Sequence, residues 1–155
     1  MKLTILEESF YPDFFVRSAW FASARLREVM DLPDHVAQYL PVDSTACHEK
    51  AREQDYMVMD PFAVQNAIDT ERSEIRYGDY PEHDGTITKQ VMNVKNFVWR
   101  ENFVSEVPIF RDPHDNRFFA TDAFAEKVLR AGITDMWFRD ITSERAQTEI
   151  MIKTL

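Results

Sequence analysis

Glycine is scarce in this chain, three residues in 155, and that alone removes the phosphate-cradling loops, which need several closely spaced residues free to take positive φ. Cysteine is scarcer still. Cys47 stands alone, so no internal disulfide can form and a reducing cytosol is the expected home. Long hydrophobic runs are missing as well. The longest, Ala19-Trp20-Phe21-Ala22, is far too short to span a bilayer, and no charged-then-apolar leader opens the sequence. A soluble, cytoplasmic protein with no membrane partner is therefore expected. Base is in deficit too, with 18 Lys and Arg against 27 Asp and Glu, a net charge of −9. Nucleic-acid binding relies on releasing counterions to Lys and Arg, so a direct nucleic-acid partner is disfavoured and a basic partner fits better.

What the chain does have is apolar surface. Hydrophobic residues at 45% and aromatics at 13% describe an ordered domain, and the length suits a single one over residues 1–155. The best-marked stretch runs from Val107 to Ile141 and reads as strand, turn, helix, strand. Its helix is predicted over about 122–131. Thr121 can cap the free N–H groups, Asp122 suits the positive end of the dipole, Lys127 and Arg130 suit the negative end, and Gly132 can close the helix in the left-handed conformation. Phe124, Val128 and Leu129 are expected to face a sheet. Asp112-Pro113-His114-Asp115-Asn116 has turn composition between two hydrophobic strands, and Met136-Trp137-Phe138 supplies another strand.

Earlier in the chain, residues 3–6 suggest a short first strand. Phe15, Ala19, Ala22, Leu26 and Val29 recur at steps of four and three, which predicts an N-terminal helix over about 14–31 behind Pro12. Trp20 and Phe21 lie off that stripe, with the core as their expected place. Residues 36–45 and 56–59 read as strands of a long antiparallel hairpin, joined by a polar loop over 47–54. Residues 69–84 hold six acids and two arginines, a net of −4, and Gly78, Pro81 and Gly85 predict a turn-rich loop in their second half. Residues 86–94 alternate as a strand. Residues 96–107 suit an extended connection or a short helix, and residues 142–155 either a closing helix capped by Ser143 or a strand through Ile150 and Ile152. The order of elements predicts an α+β fold with a mainly antiparallel sheet.

Catalytic chemistry finds no constellation. His35, His48, His83 and His114 show no metal-ligand spacing, and in extended backbone the neighbours Cys47 and His48 point apart. Glu71 and Glu74 lie in the most solvated-looking stretch, where nothing would raise a carboxyl pKa for acid–base work. No catalytic residue, metal or cofactor is expected, and elimination leaves a binding protein. Two other classes stay open: a small enzyme with a loop-built site, and a homo-oligomeric scaffold module using Trp20 and Phe21.

Two runs of sequence carry a family likeness. Asp55-Tyr56-Met57-Val58-Met59-Asp60-Pro61-Phe62, continuing through Ala67-Ile68-Asp69 to Arg72-Ser73-Glu74, is one. Ile109-Phe110-Arg111, Phe119-Ala120-Thr121, Ala131-Gly132-Ile133 and Trp137-Phe138 are the other, and Tyr39-Leu40-Pro41-Val42 precedes both. Over about residues 36–141 this order resembles immunity family eleven of the bacterial polymorphic-toxin immunity proteins, with Asp135 standing where glycine is the more usual residue. The resemblance implies a cytoplasmic protein that binds a cognate antibacterial toxin and blocks its active site. Such toxins often carry basic clefts. The acidic stretch is then the candidate contact surface, with Asp79, Glu82 and Asp84 steering the approach, Tyr77 and Tyr80 supplying contact area, and Glu71 beside them.

Overall fold

The computed structural model describes residues 1–6, 9, 11–94, 96, 98–139 and 151–152. In chain order the elements are β1 Phe14–Val16, β2 Trp20–Ala22, α1 Ala24–Met30, β3 Ala37–Pro41, α2 Glu49–Glu53, β4 Met57–Pro61, β5 Ile75–Pro81, β6 Ile87–Val94, β7 Ile109–Asp112, β8 Asp115–Ala120, α3 Asp122–Arg130, β9 Met136–Trp137 and β10 Met151–Ile152. A four-stranded antiparallel sheet in the order β1-β2-β4-β3 forms the centre, and three two-stranded ribbons, β5-β6, β7-β8 and β9-β10, accompany it. The fold is α+β with antiparallel pairing throughout its named strands, as expected.

The N-terminal helix expected over 14–31 forms only in its second half. Its first half is the β1-β2 hairpin, and helix begins only at Ala24, where Ser23 Oγ accepts from Leu26 N at 3.1 Å. The apolar residues that mimic a helical stripe belong instead to a strand pair buried on both faces. Phe14, Ala22 and Met59 pack with α1 and α3, whereas Phe15, Phe21 and Val58 pack with Leu3, Ile5, Cys47, Ala51 and Tyr56 on the other side. Alternation is invisible in sequence when both faces are apolar. Phe15 stacks on Phe21 with ring centroids 4.8 Å apart, and Trp20 meets Phe118 at 4.3 Å. Phe21 is thus a core residue, and Trp20, half-buried, packs against the core, which leaves little of the surface a scaffold module would have used.

The late helix stands where predicted. Thr121 Oγ1 accepts from Phe124 N at 3.3 Å, and Gly132 takes φ +64°. Leu129, however, is 58% exposed, a correction to its expected burial. Phe124 and Val128, one turn apart, fill the inner stripe, and a residue five positions from Phe124 has already rotated off it. Beyond the helix, the buried Asp13 carboxylate ties the N-terminal hairpin down by accepting from Ser23 Oγ at 3.0 Å, Arg25 at 2.8 Å and Thr134 N at 3.0 Å.

Two further expectations are corrected. The polar loop over 47–54 contains α2, which turns Ala51 into the core. The second half of residues 69–84 is strand β5 rather than a loop: a Cβ on Gly78 would fall 2.6 Å from Met92 Cγ, so this glycine serves a side chain lying across the ribbon, not a turn. Over 96–107, for which an extended connection or a short helix was expected, the described part forms no helix: Trp99 bridges antiparallel to Ile68, and a turn follows in which Phe103 N donates to Arg100 O at 3.1 Å and Asn102 takes φ +59°. Near the N-terminus Lys2 makes only an isolated bridge to Asp43. A helix capped by Ser143 would fall outside the described residues, while β10 pairs with β9 and agrees with the strand alternative.

Candidate functional site

Among the described residues the β5-β6 ribbon is the one long element that the core does not cover. Tyr77 is 49% exposed, Tyr80 51%, Ile87 68% and Met92 67%, while only the base is fixed. There Val94 is buried, the Arg117 guanidinium joins the Asp115 carboxylate to the Val94 carbonyl, and Ser73 Oγ accepts from Val98 N at 2.8 Å. A bulge between Arg76 and Tyr77 bends the ribbon just above this root.

The tip is a three-residue turn closed by two backbone bonds, Glu82 N to Thr86 O at 2.8 Å and Gly85 N to Glu82 O at 3.0 Å. Gly85 takes φ +84°, the left-handed bulge position of such loops. Asp84 shapes the turn. Its carboxylate accepts from Thr86 Oγ1 at 2.6 Å and Thr86 N at 2.9 Å, and these bonds hold it below the ordinary aspartate range. Glu82 accepts from Thr88 Oγ1 at 2.9 Å, and Asp79 pairs with Lys89 across the strands.

Each candidate contact residue can now be placed. Because successive side chains alternate, Tyr77 and Asp79 share one face of the ribbon and Tyr80 lies on the other, while Glu82 and Asp84 sit at the tip. Glu71 does not join them. It belongs to a turn at the ribbon's root, where Asp69 Oδ1 accepts from the N–H groups of Glu71 and Arg72 at 3.1 Å each. Beside it lies a shallow hollow of about 240 Å³ lined by Asp69, Thr70, Glu71 and Arg100.

A family model described as the immunity protein family (Imm11) matches residues 8–143, which includes the sheet, the ribbon and α3. The chain belongs to the Imm11 immunity protein family. No curated protein matches it. The match extends the likeness seen over 36–141 back through the N-terminal hairpin. Asp135, standing where glycine was expected, has φ +64°, a conformation glycine adopts without cost and aspartate tolerates better than most residues.

In this Imm11 protein Cys47, weighed as a nucleophile, and two tyrosines have local explanations in the fold. Cys47 is buried and its Sγ donates to the Leu3 carbonyl at 3.3 Å. Tyr56 donates to the Pro12 carbonyl at 2.7 Å, and burial pushes its pKa upward; burial likewise pushes Tyr39 up to about 12. Among the described residues no three His, Cys, Asp or Glu side chains gather as a metal-ligand group, and no helix is long and apolar enough to cross a membrane.

A second hollow, of about 340 Å³, lies between Lys89, Gln90 and Val91 of β6 and Pro113, His114 and Asp115 of the β7-β8 turn. Sequence reasoning missed it. It exists only because the ribbon's root brings together segments more than twenty residues apart, and no local pattern announces that.

Proposed function

We propose that this Imm11 protein binds a cognate toxin domain in the cytoplasm of the cell that makes it, and that the β5-β6 ribbon enters the toxin's active-site cleft and blocks it. Family membership supports toxin binding, and the uncovered ribbon carries the choice of surface. Its acids are held by local hydrogen bonds to Thr86 and Thr88, so little side-chain freedom remains to be lost on binding. Tyr77 and Tyr80 add rigid contact area on its two faces. A basic cleft would meet net negative charge at the tip, which raises the association rate and makes it salt-dependent.

The test is the association rate with the purified toxin at low and high salt, for the wild type and for the triple variant Asp79→Lys, Glu82→Lys, Asp84→Lys. The variant should associate more slowly and with a flatter salt dependence. Asp84→Asn, which keeps an acceptor for Thr86 but drops the charge, should show part of the effect with the turn retained. Identical rates and salt slopes would place the interface elsewhere.

A further inference from the structure

The backbone of the ribbon offers more than its side chains do. In an antiparallel ladder, hydrogen-bonded and non-bonded pairs alternate. Counting from the closing pair Glu82 and Thr86, the pairs Tyr80/Thr88 and Gly78/Gln90 exchange bonds, while Pro81/Ile87, Asp79/Lys89 and Tyr77/Val91 turn their N–H and C=O groups outward. The two edges are therefore unequal. On β5 the outward positions are Tyr77, Asp79 and Pro81, and Pro81 has no N–H to offer, the usual blunting of an edge. On β6 they are Ile87, Lys89 and Val91, each with both groups intact and, among the described residues, no third strand paired beside them. The hollow of about 340 Å³ runs along this same edge, since three consecutive β6 residues line it and none from β5 does, and the Pro113-His114-Asp115 turn forms its far wall.

We propose that the β6 edge receives one extended strand of the toxin, laid between Lys89-Gln90-Val91 and the Pro113–Asp115 turn so that the ribbon becomes a three-stranded sheet. This rests on the reading of the chain as a toxin binder. Main-chain bonds to Ile87, Lys89 and Val91 supply the affinity, and the hollow receives side chains from one face of the incoming strand. Charge selects this occupant. Residues 86–94 carry one charge, Lys89, already paired with Asp79, while Glu82 and Asp84 lie just past the edge at the tip. A neutral strand with a Lys or Arg at the tip end fits both features. A second copy of this chain fits poorly, because a two-fold pairing centred on Lys89 sets like charges directly opposite one another.

Amide hydrogen exchange on the wild-type protein, alone and with the purified toxin, tests the proposal. In the free protein the amides of Ile87, Lys89 and Val91 should exchange fast at every concentration. In the complex they should slow by about tenfold or more. Lys89→Pro removes one outward N–H without touching a β5-β6 bond, and should weaken the complex by about tenfold at an unchanged melting temperature. A complex that forms with these amides still fast overturns the strand proposal and leaves toxin binding standing. Slowing at Tyr77 and Asp79 instead assigns the other edge and also overturns it, as does slowing in the free protein that grows with concentration. Failure to form any complex sinks both the proposal and the reading beneath it.

Discussion

Asp84 is a surface carboxylate that shapes its own turn, and a single protonation removes both its charge and that contribution. Its folded pKa is depressed by the bonds from Thr86, so its contribution to the turn is fully present above the ordinary aspartate value of about 3.9 and disappears as pH falls through the lower folded value. Titration of the Asp84 carboxyl followed by NMR should give a midpoint below that ordinary value, and Thr86→Ala should move it upward; a midpoint unmoved by Thr86→Ala would refute the assignment. The same scale corrects the late helix. Phe124 is 4% exposed in the main core cluster, so Phe124→Ala should cost about 3–5 kcal/mol by leaving a cavity. Leu129→Ala, on the solvent side, should change stability by less than about 0.5 kcal/mol in chemical denaturation, and a cost comparable to that of Phe124→Ala would contradict the placement of the helix.

At the scale of elements, legibility followed locality. The helix Asp122–Arg130 was readable because its signals, Thr121 at one end and Gly132 at the other, act within a turn of the backbone they terminate. The β1-β2 hairpin was not, because both faces of its sheet are buried, and Phe14, Phe15, Phe21 and Ala22 then present no alternation to read. Ser23 was the one local clue, a cap lying in the middle of the predicted helix. The stretch that carries Asp79, Glu82 and Asp84 was misread in conformation, since Gly78 and Pro81 were taken as turn formers when one accommodates Met92 and the other sits at an outward ladder position. Long-range ties were beyond reach altogether. Asp112, with side chain buried, accepts from Ala67 N at 2.6 Å, Ile68 N at 2.8 Å and His114 N at 2.8 Å, holding the segment after β4 against the β7-β8 ribbon. Asp112→Ala strands those donors and should cost on the order of 3 kcal/mol. Equal denaturation midpoints for variant and wild type would show that water replaces the carboxylate there.

Across the whole molecule, stability and the proposed binding are placed in different parts. The buried clusters draw on the central sheet, α1, α3, the N-terminal segment and the β7-β8 ribbon, and none includes a residue between Asp69 and Met92. The outer ribbon can therefore be shortened without opening the core. Tyr80 and Thr88 form a hydrogen-bonded pair, the geometry a two-residue turn closes, so replacing residues 81–87 with the dipeptide Asn-Gly gives a shorter ribbon of the same register. The shortened protein should melt within about 2 °C of the wild type, because only exposed side chains and the turn's own bonds are lost. Its association with the toxin should slow, since Glu82, Asp84 and Ile87 leave with the tip. A large fall in melting temperature would mean that the ribbon stabilises the body through contacts its exposure does not suggest. Full retention of binding would move the interface down to the root, around Glu71 and Arg100.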